Sequence, residues 1–374
     1  MTTQVQPRAV VQAPAALDPG EGPVLIVRLG AIGDVVRGLP ALDLLRRAHP
    51  DLVVDWVVEE KAADVLKGHP HLRKVILFRR RELVREAKGL RLLAAADRLR
   101  DTARRLARGG YAAAVDLQGS LKSALMTRAT GSRRRIGLIA GHGREGSHLF
   151  YTHPVNPGPD RISRVERNFR LIEALGIPPP EPEHPPLAHL QPPTTAEAWA
   201  DGVVASLAPS KGPRVLLYPG TSRRQAYKRW EPARFGWLAG RLHDDGVQVL
   251  VAGGPGEEAI LDEVLGATST PPAVLPPSSL MQLTALIARM DLFVGGDTGP
   301  MHLAWAVGTP VLALFGATDP IVNAPYDAEH LGHRVLYHGP PERPYRVTGA
   351  GARAWMDAIT VDEVYANCRE MLGR

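Results

Sequence analysis

Cysteine is almost missing: Cys368 is the single one in 374 residues. That excludes a disulfide framework and a cysteine-built zinc site, and it fits a reducing compartment. Aromatic residues make up only 5%, and no reader motif accompanies them, which weighs against nucleic-acid binding. No uninterrupted apolar run reaches the roughly 18 residues needed to cross a bilayer. The stretch from Met1 to Leu17 lacks the basic cluster and apolar core of a secretion signal, so a soluble chain is expected. Asp-x-Asp spacing is absent throughout, which removes one familiar way of holding Mg²⁺ beside a diphosphate.

What is present is ordinary globular material, 44% hydrophobic and 22% charged. At about 150 residues per domain, this length implies two compact domains. The net charge of +6 is unevenly spread: residues 1 to 190 carry 30 Lys+Arg against 20 Asp+Glu, and the remainder 15 against 19. Residues 67 to 135 alone hold 19 basic and 5 acidic side chains, including Arg79-Arg80-Arg81 and Arg133-Arg134-Arg135. Such a run is either a solvated helix face or a surface that attracts an anionic partner.

Residues 1 to 22 are polar, proline-dotted and aperiodic, and are expected to form a disordered tail. Strands are expected at Val24 to Val27, Val53 to Val58, Lys74 to Phe78, Ala112 to Leu117 and Ile136 to Leu138, separated by helix-length segments. That alternation predicts a parallel α/β domain over 23–180. Eight prolines between Ile177 and Thr194 deny the chain helix and central strand, so residues 181–194 form a stiff linker. The alternation restarts in a second α/β domain over 195–374, with strands at Val215 to Tyr218, Val247 to Ala252, Leu292 to Gly295 and Val311 to Phe315. Thr360 and Glu363 are spaced as a reciprocal capping box. The helix that follows buries Val364 and Cys368 on one face and is free to pack back on the first domain. Two open parallel sheets bind ligands beyond the carboxyl ends of their strands, so chemistry is sought there.

After the first strand comes Arg28-Leu29-Gly30-Ala31-Ile32-Gly33-Asp34, neither a Walker loop nor a full G-x-G-x-x-G. Asp34 is either an N-cap or a carboxylate aimed into the cleft as a general base. Asp55-Trp56-Val57-Val58-Glu59-Glu60 ends the second strand, and Asp116-Leu117-Gln118-Gly119-Ser120-Leu121-Lys122 follows the fourth. In the second half, Tyr218-Pro219-Gly220-Thr221-Ser222 offers backbone N–H groups and hydroxyls to a phosphate. Lys228 is either a surface lysine or the cation for a departing diphosphate. Glu257, after Gly253-Gly254-Pro255-Gly256, is a candidate for a ribose diol or merely favours a helix N-terminus. Asp297-Thr298-Gly299 opens a helix expected to have Pro300 at its first position. His302 lies in its first turn, as a packing or a binding residue. No second His or Cys stands at metal-ligand spacing, so a diphosphate here would be held by Lys228, helix N-termini and backbone donors.

These motifs together resemble the ADP-heptose:lipopolysaccharide heptosyltransferases. Asp55-Trp-Val-Val-Glu-Glu60 with Asp116-x-Gln-Gly-x-x-Lys-Ser123 looks most like the heptosyltransferase I branch, and the likeness runs from Val24 to about Pro320. The resemblance implies two Rossmann-like domains facing a cleft, of GT-B type, with the acceptor on the first and the nucleotide sugar on the second. It implies inverting transfer of heptose from ADP-heptose to a Kdo residue of the lipopolysaccharide inner core, without metal or other cofactor. Asp34 then matches the catalytic base and Lys228 the lysine at the diphosphate. Gly33, Thr221, Ser222, Glu257, Asp297, Thr298, Gly299 and His302 match donor-binding positions. Glu60, Arg79, Arg80, Arg81, Gln118 and Lys122 are the candidate acceptor contacts, facing an anionic lipopolysaccharide core. A cytoplasmic protein working peripherally at the inner membrane is implied, with no nucleic-acid partner. The rival readings are a relative with another donor or acceptor, such as a later-core or O-antigen transferase, and a silent nucleotide-sugar or nucleic-acid binder.

Overall fold

The structure, a computed structural model, describes residues 21–89, 91–328, 330–341 and 350–374. The first parallel sheet contains β1 (Val24–Val27), β2 (Val54–Glu59), β3 (Lys74–Phe78), β4 (Ala113–Asp116), β5 (Arg134–Leu138) and β6 (His153–Val155), in the order β3-β2-β1-β4-β5-β6. The second contains β7 (Arg214–Tyr218), β8 (Gln248–Val251), β9 (Ala273–Val274), β10 (Leu292–Gly296), β11 (Val311–Phe315) and β12 (Arg334–Tyr337), in the order β12-β11-β10-β7-β8-β9. Both are the doubly wound arrangement, whose strand order reverses at one point and opens a crevice there. The reversals fall between β1 and β4, paired Val24 to Ala113, and between β7 and β10, paired Val215 to Leu292. All four residues of β1 and all five of β11 are buried. Strands covered on both faces read as unbroken apolar runs, which is why these were visible in the sequence. The edge strands β6, β9 and β12 are short or only half-buried and escaped that reading.

One hydrophobic cluster joins the lobes, running from Ile26 and Trp56 through Ala188 and Leu190 of the proline-rich segment to Phe293 and Phe315. Asp43 pins that segment to the first lobe, accepting from Leu187 N at 2.9 Å and lying 3.0 Å from His189 Nε2. Arg161 reaches across to Asp319 at 2.7 Å, and the rings of Phe169 and Tyr326 meet edge-on at 5.6 Å.

Several expectations need correction. Residues 1–20 lie outside the described residues, but Glu21, assigned to the tail, is 3.5 Å from Arg134. The helix Thr194–Ser206 begins inside the assigned linker. The last helix, Val361–Met371, packs against Pro232–Asp244 of its own domain rather than back on the first, because Val364 and Cys368 complete the core around Phe235 and Leu242. Burial there pushes the Cys368 thiol up to about 12, which leaves it an inert packing residue. Only half of the capping box forms: Thr360 accepts from Glu363 N at 3.2 Å, while the Glu363 carboxylate pairs with His338 at 2.7 Å.

Candidate functional site

The two reversal points face one another through the helices Ile32–Val36 and Gly299–Ala306. A methyl group on Gly33 would stand 2.3 Å from His302 Cδ2, and one on Gly299 would stand 3.5 Å from Ile32. The first helix therefore meets the second at their opening turns. Arg37 adds a hydrogen bond across the gap to Asn323 Oδ1, 2.9 Å.

On the first lobe, Asp34 is the third residue of its helix, and Ala31 occupies the cap position. The capping reading is thus wrong. Its carboxylate instead lies between Arg28 at 2.7 Å and Arg37 at 2.6 Å, with a quarter of the side chain exposed. Burial alone would raise the pKa of Asp34; Arg28 and Arg37, backed by Arg164 and Arg167, outweigh it and hold the carboxyl well below the usual range. Arg28 is itself fixed: its guanidinium donates to Leu117 O at 2.6 Å, and the Trp56 indole donates to its carbonyl at 3.2 Å.

Asp116 is wholly buried at the end of β4. It accepts from Gln118 N (2.8 Å), Gly119 N (3.0 Å) and the Tyr151 hydroxyl (2.8 Å). These bonds shape the turn that carries Gln118, whose side chain faces inward, accepting from Leu29 N at 3.0 Å and donating to Ser120 at 2.8 Å. Lys122 pairs with Glu59, the neighbour of the residue singled out in the sequence, and Arg80 lies 3.9 Å from that same carboxylate. Glu60 itself opens a short 3₁₀ turn and makes no ion pair among the described residues. Arg79, Arg80 and Arg81 are exposed, with Arg79 on Glu82 at 3.2 Å.

On the second lobe, Lys228 Nζ is 2.9 Å from Asp297 Oδ2, and His302 Nε2 is 3.6 Å from Asp297 Oδ1. Burial would raise the Asp297 pKa, but the neighbouring His302 and the Lys228 charge outweigh it and hold it well below the usual range. Burial and the nearby Arg37 push His302 down, toward neutral imidazole, and its Nδ1 is buried without a partner among the described residues. The helix begins with Thr298 as cap and Gly299 first, so Pro300 sits second, and the Thr298 hydroxyl turns back to Gly296 O at 3.3 Å.

Glu257 Oε2 accepts from Gly254 N at 2.7 Å and lies 3.5 Å from the Tyr218 hydroxyl. A Cβ at position 220 would stand 1.8 Å from Glu257 Oε2, so any larger residue there would displace the Glu257 carboxylate. Thr221 is buried and lies 3.3 Å from Arg229, whereas Ser222 is exposed and points to Gln225.

The structure thus brings Asp34, Gly33, Lys228, Asp297, Thr298, Gly299 and His302 to one gap. The arginines around Asp34 are not evident from the sequence: Arg28 belongs to the segment after β1 and Arg37 lies one helical turn after Asp34, but no local pattern marks either as its partner. Among the described residues no group of three His, Cys, Asp or Glu side chains is placed to hold a metal ion.

Two Rossmann-like lobes whose strand ends share one gap form the GT-B architecture, and this chain is a glycosyltransferase. Residues 99–343 match the family described as Glycosyltransferase family 9 (heptosyltransferase), and the chain belongs to that family. It is 32% identical over 314 residues to lipopolysaccharide heptosyltransferase 1 of Pseudomonas aeruginosa, covering 83% of each chain. It is also 26% identical over 305 residues to lipopolysaccharide heptosyltransferase 3 of Escherichia coli, covering 79% of this chain and 82% of that one. Among solved structures, E. coli heptosyltransferase WaaC with ADP superposes with a TM-score of 0.73 at 25% identity, over 93% of this chain and 99% of that one. A glycosyl transferase family 9 protein from Veillonella parvula shares the fold, with a TM-score of 0.77 at 20% identity, over 96% and 99% of the two chains.

Proposed function

We propose that the protein transfers a heptose from ADP-heptose to a Kdo residue of the lipopolysaccharide inner core, with inversion and without a metal. The observation that carries this reading is the placement of the Asp34 carboxylate on one lobe and the Lys228–Asp297 pair on the other, across a gap narrow enough for Gly33 to touch His302. In a single displacement the acceptor hydroxyl loses its proton to Asp34 as its oxygen attacks the anomeric carbon. The bond to ADP breaks on the opposite face, and the leaving diphosphate gathers charge beside Lys228. Thr221, Ser222 and the N–H groups opening the helix Gly299–Ala306 supply further donors for the diphosphate, and Glu257 takes the ribose through its Oε1.

The donor is supported by a relative's structure, which holds ADP. The Kdo acceptor is supported by the 32% likeness to heptosyltransferase 1 of Pseudomonas aeruginosa, while heptosyltransferases 1 and 3 of E. coli, at 27% and 26%, do not separate the two steps. Among the described residues no helix is long and apolar enough to cross a membrane. With the excess of basic side chains over residues 67 to 135 this supports a cytoplasmic enzyme working at the inner membrane, where the lipid end of its acceptor stays.

The test is to incubate the protein with ADP-heptose and with lipopolysaccharide truncated either at Kdo or after the first heptoses, and to follow ADP release and acceptor mass. A one-heptose gain on the Kdo-terminated acceptor, undiminished by EDTA, is expected. Gain only on the longer acceptor assigns the later step instead, and loss with EDTA removes the metal-free mechanism.

A further inference from the structure

The first lobe's edge of the gap carries more positive charge than its carboxylates balance. Arg28, 3% exposed, gives one nitrogen to Asp34 and another to Leu117 O at 2.6 Å. Arg167, on the helix Arg164–Glu173, gives a nitrogen to that same carbonyl oxygen at 3.1 Å. Two guanidinium groups therefore meet on a single oxygen. Arg28 and Arg37 share Asp34 as counter-ion, but Arg167 has no ion pair among the described residues. The Nε atoms of Arg28 and Arg167 are both buried without a hydrogen-bond partner among the described residues. Asp116, the other nearby carboxylate, is occupied by two backbone N–H groups and the Tyr151 hydroxyl. Burial and the neighbouring Arg164, Arg28 and Arg37 all push Arg167 well below its ordinary pKa, as expected where like charges are crowded together.

Buried donors without an acceptor are costly, and crowded guanidinium groups call for an anion with paired oxygens. We propose that Arg167 and Arg28 form a seat beside Asp34 for the acid group of the acceptor, a sugar carboxylate, and that its arrival draws Arg28 off Asp34. The inference rests on the transfer reading in which Asp34 is the base. The donor's diphosphate is the lesser candidate, because Arg28, Arg167 and Leu117 all belong to the first lobe, while Lys228 serves the diphosphate from the second. The consequence is chemical. A carboxylate held by two arginines accepts a proton poorly. An acceptor that brings its own carboxylate takes over part of that hold, so Asp34 gains basicity only when the hydroxyl to be deprotonated is present.

Free Kdo and its carboxyl-reduced alcohol, titrated calorimetrically into the wild type and Arg167→Gln, test the seat without catalysis; ADP is titrated in parallel. Reduction of the carboxyl should weaken binding to the wild type about 10- to 100-fold, the worth of a charge-assisted pair. Arg167→Gln should weaken native Kdo by a similar factor, gain little further loss from carboxyl reduction, and bind ADP within about twofold of the wild type. In transfer assays the same variant should raise the acceptor KM far more than the donor KM.

Equal binding of Kdo and its alcohol by the wild type overturns the seat, and this arm requires no altered protein. A loss of ADP affinity in Arg167→Gln matching the loss of Kdo affinity overturns it in favour of the diphosphate. Failure of the wild type to move heptose to any acceptor would instead sink the transfer reading, whatever the titrations give.

Discussion

Asp34 and Asp297 both follow strands at the reversal point of their sheet, and both are held well below the ordinary carboxylate range, yet their surroundings differ. Asp34 has two arginines at 2.7 and 2.6 Å, with Arg164 and Arg167 behind them. Asp297 has one lysine at 2.9 Å and a histidine that burial drives toward neutrality. The Asp34 side chain is 25% exposed and that of Asp297 9%. One carboxylate reaches the gap amid surplus positive charge; the other is enclosed and balanced by a single cation. A depressed pKa alone therefore does not assign a role. Exposure and charge balance fit Asp34 to meet a substrate hydroxyl, and fit Asp297 to aim the flexible Lys228.

The strongest way to break this comparison is to neutralise each carboxylate in turn. Asp34→Asn keeps the shape and removes the base, and kcat for transfer should fall by about 10³-fold, within the range of general-base catalysis. Asp297→Asn leaves a base in place but frees Lys228, and should cost about 10-fold or more in donor kcat/KM, the scale of one lost charge-assisted bond. A larger loss from Asp297→Asn than from Asp34→Asn would exchange the two roles. Because the arginines lower the pKa of Asp34, its carboxylate stays ionised as pH falls through the usual carboxylate range, and the acid limb of kcat/KM for wild type should lie below about pH 4. Arg37→Gln removes one of those charges, so the limb should move to higher pH.

Contact between the lobes offers a second, smaller lever. In Gly33→Ala the new methyl would lie 2.3 Å from His302 Cδ2, so the buried His302 ring or one of the two helices must shift. Overpacking of that kind costs about 1–3 kcal/mol. If the gap must close for transfer, the cost appears in kcat/KM, as a loss of about 5- to 100-fold, with little change in thermal midpoint. Gly202→Ala is the control: it lies in the helix Thr194–Ser206 with nothing within 4 Å of the added carbon, and should leave transfer unchanged while adding up to about 1 kcal/mol of stability. A drop in midpoint without loss of transfer in Gly33→Ala would show that the lobes need not touch.

The central strands were legible because burial on both faces leaves unbroken apolar runs such as Val24-Leu25-Ile26-Val27. Of the edge strands, β3 still carries the run Val75-Ile76-Leu77-Phe78 and was legible, whereas β6 is His-Pro-Val and β9 has two residues. At the site, residue types after strand ends pointed to Asp34, Lys228 and Asp297, but their partners did not show. Arg28 and Leu117 are 89 positions apart, as are Leu29 and Gln118, and no local pattern records that they meet. The Asp34 ambiguity had the same source: its nearest cation within the helix, Arg37, lies three residues on, yet a spacing of three only permits a pair. Spacing also overstated the box at Thr360, because His338, arriving from outside the helix, takes the Glu363 carboxylate.

The smallest expected effect separates the inner arginines from those at the rim. Arg79, Arg80 and Arg81 are exposed, and the ion pairs of the first two, at 3.2 Å to Glu82 and 3.9 Å to Glu59, stand in solvent-screened surroundings. Exposed pairs contribute about 0–1 kcal/mol each, so replacing all three by alanine should barely move the thermal midpoint. Their charge still acts at a distance on an anionic acceptor, and at low ionic strength the triple variant should raise the acceptor KM about two- to fivefold through slower encounter. Raising the salt to 0.15 M or more shortens the screening length to about 8 Å and should erase that difference. Arg167→Gln is expected to behave otherwise, because a carboxylate seated against the buried Arg28 and the half-buried Arg167 is screened far less, and its defect should persist at high salt. If both variants lose their effect together, the inner arginines merely attract the acceptor as the outer ones do, and the distinction between a steering rim and a binding seat disappears.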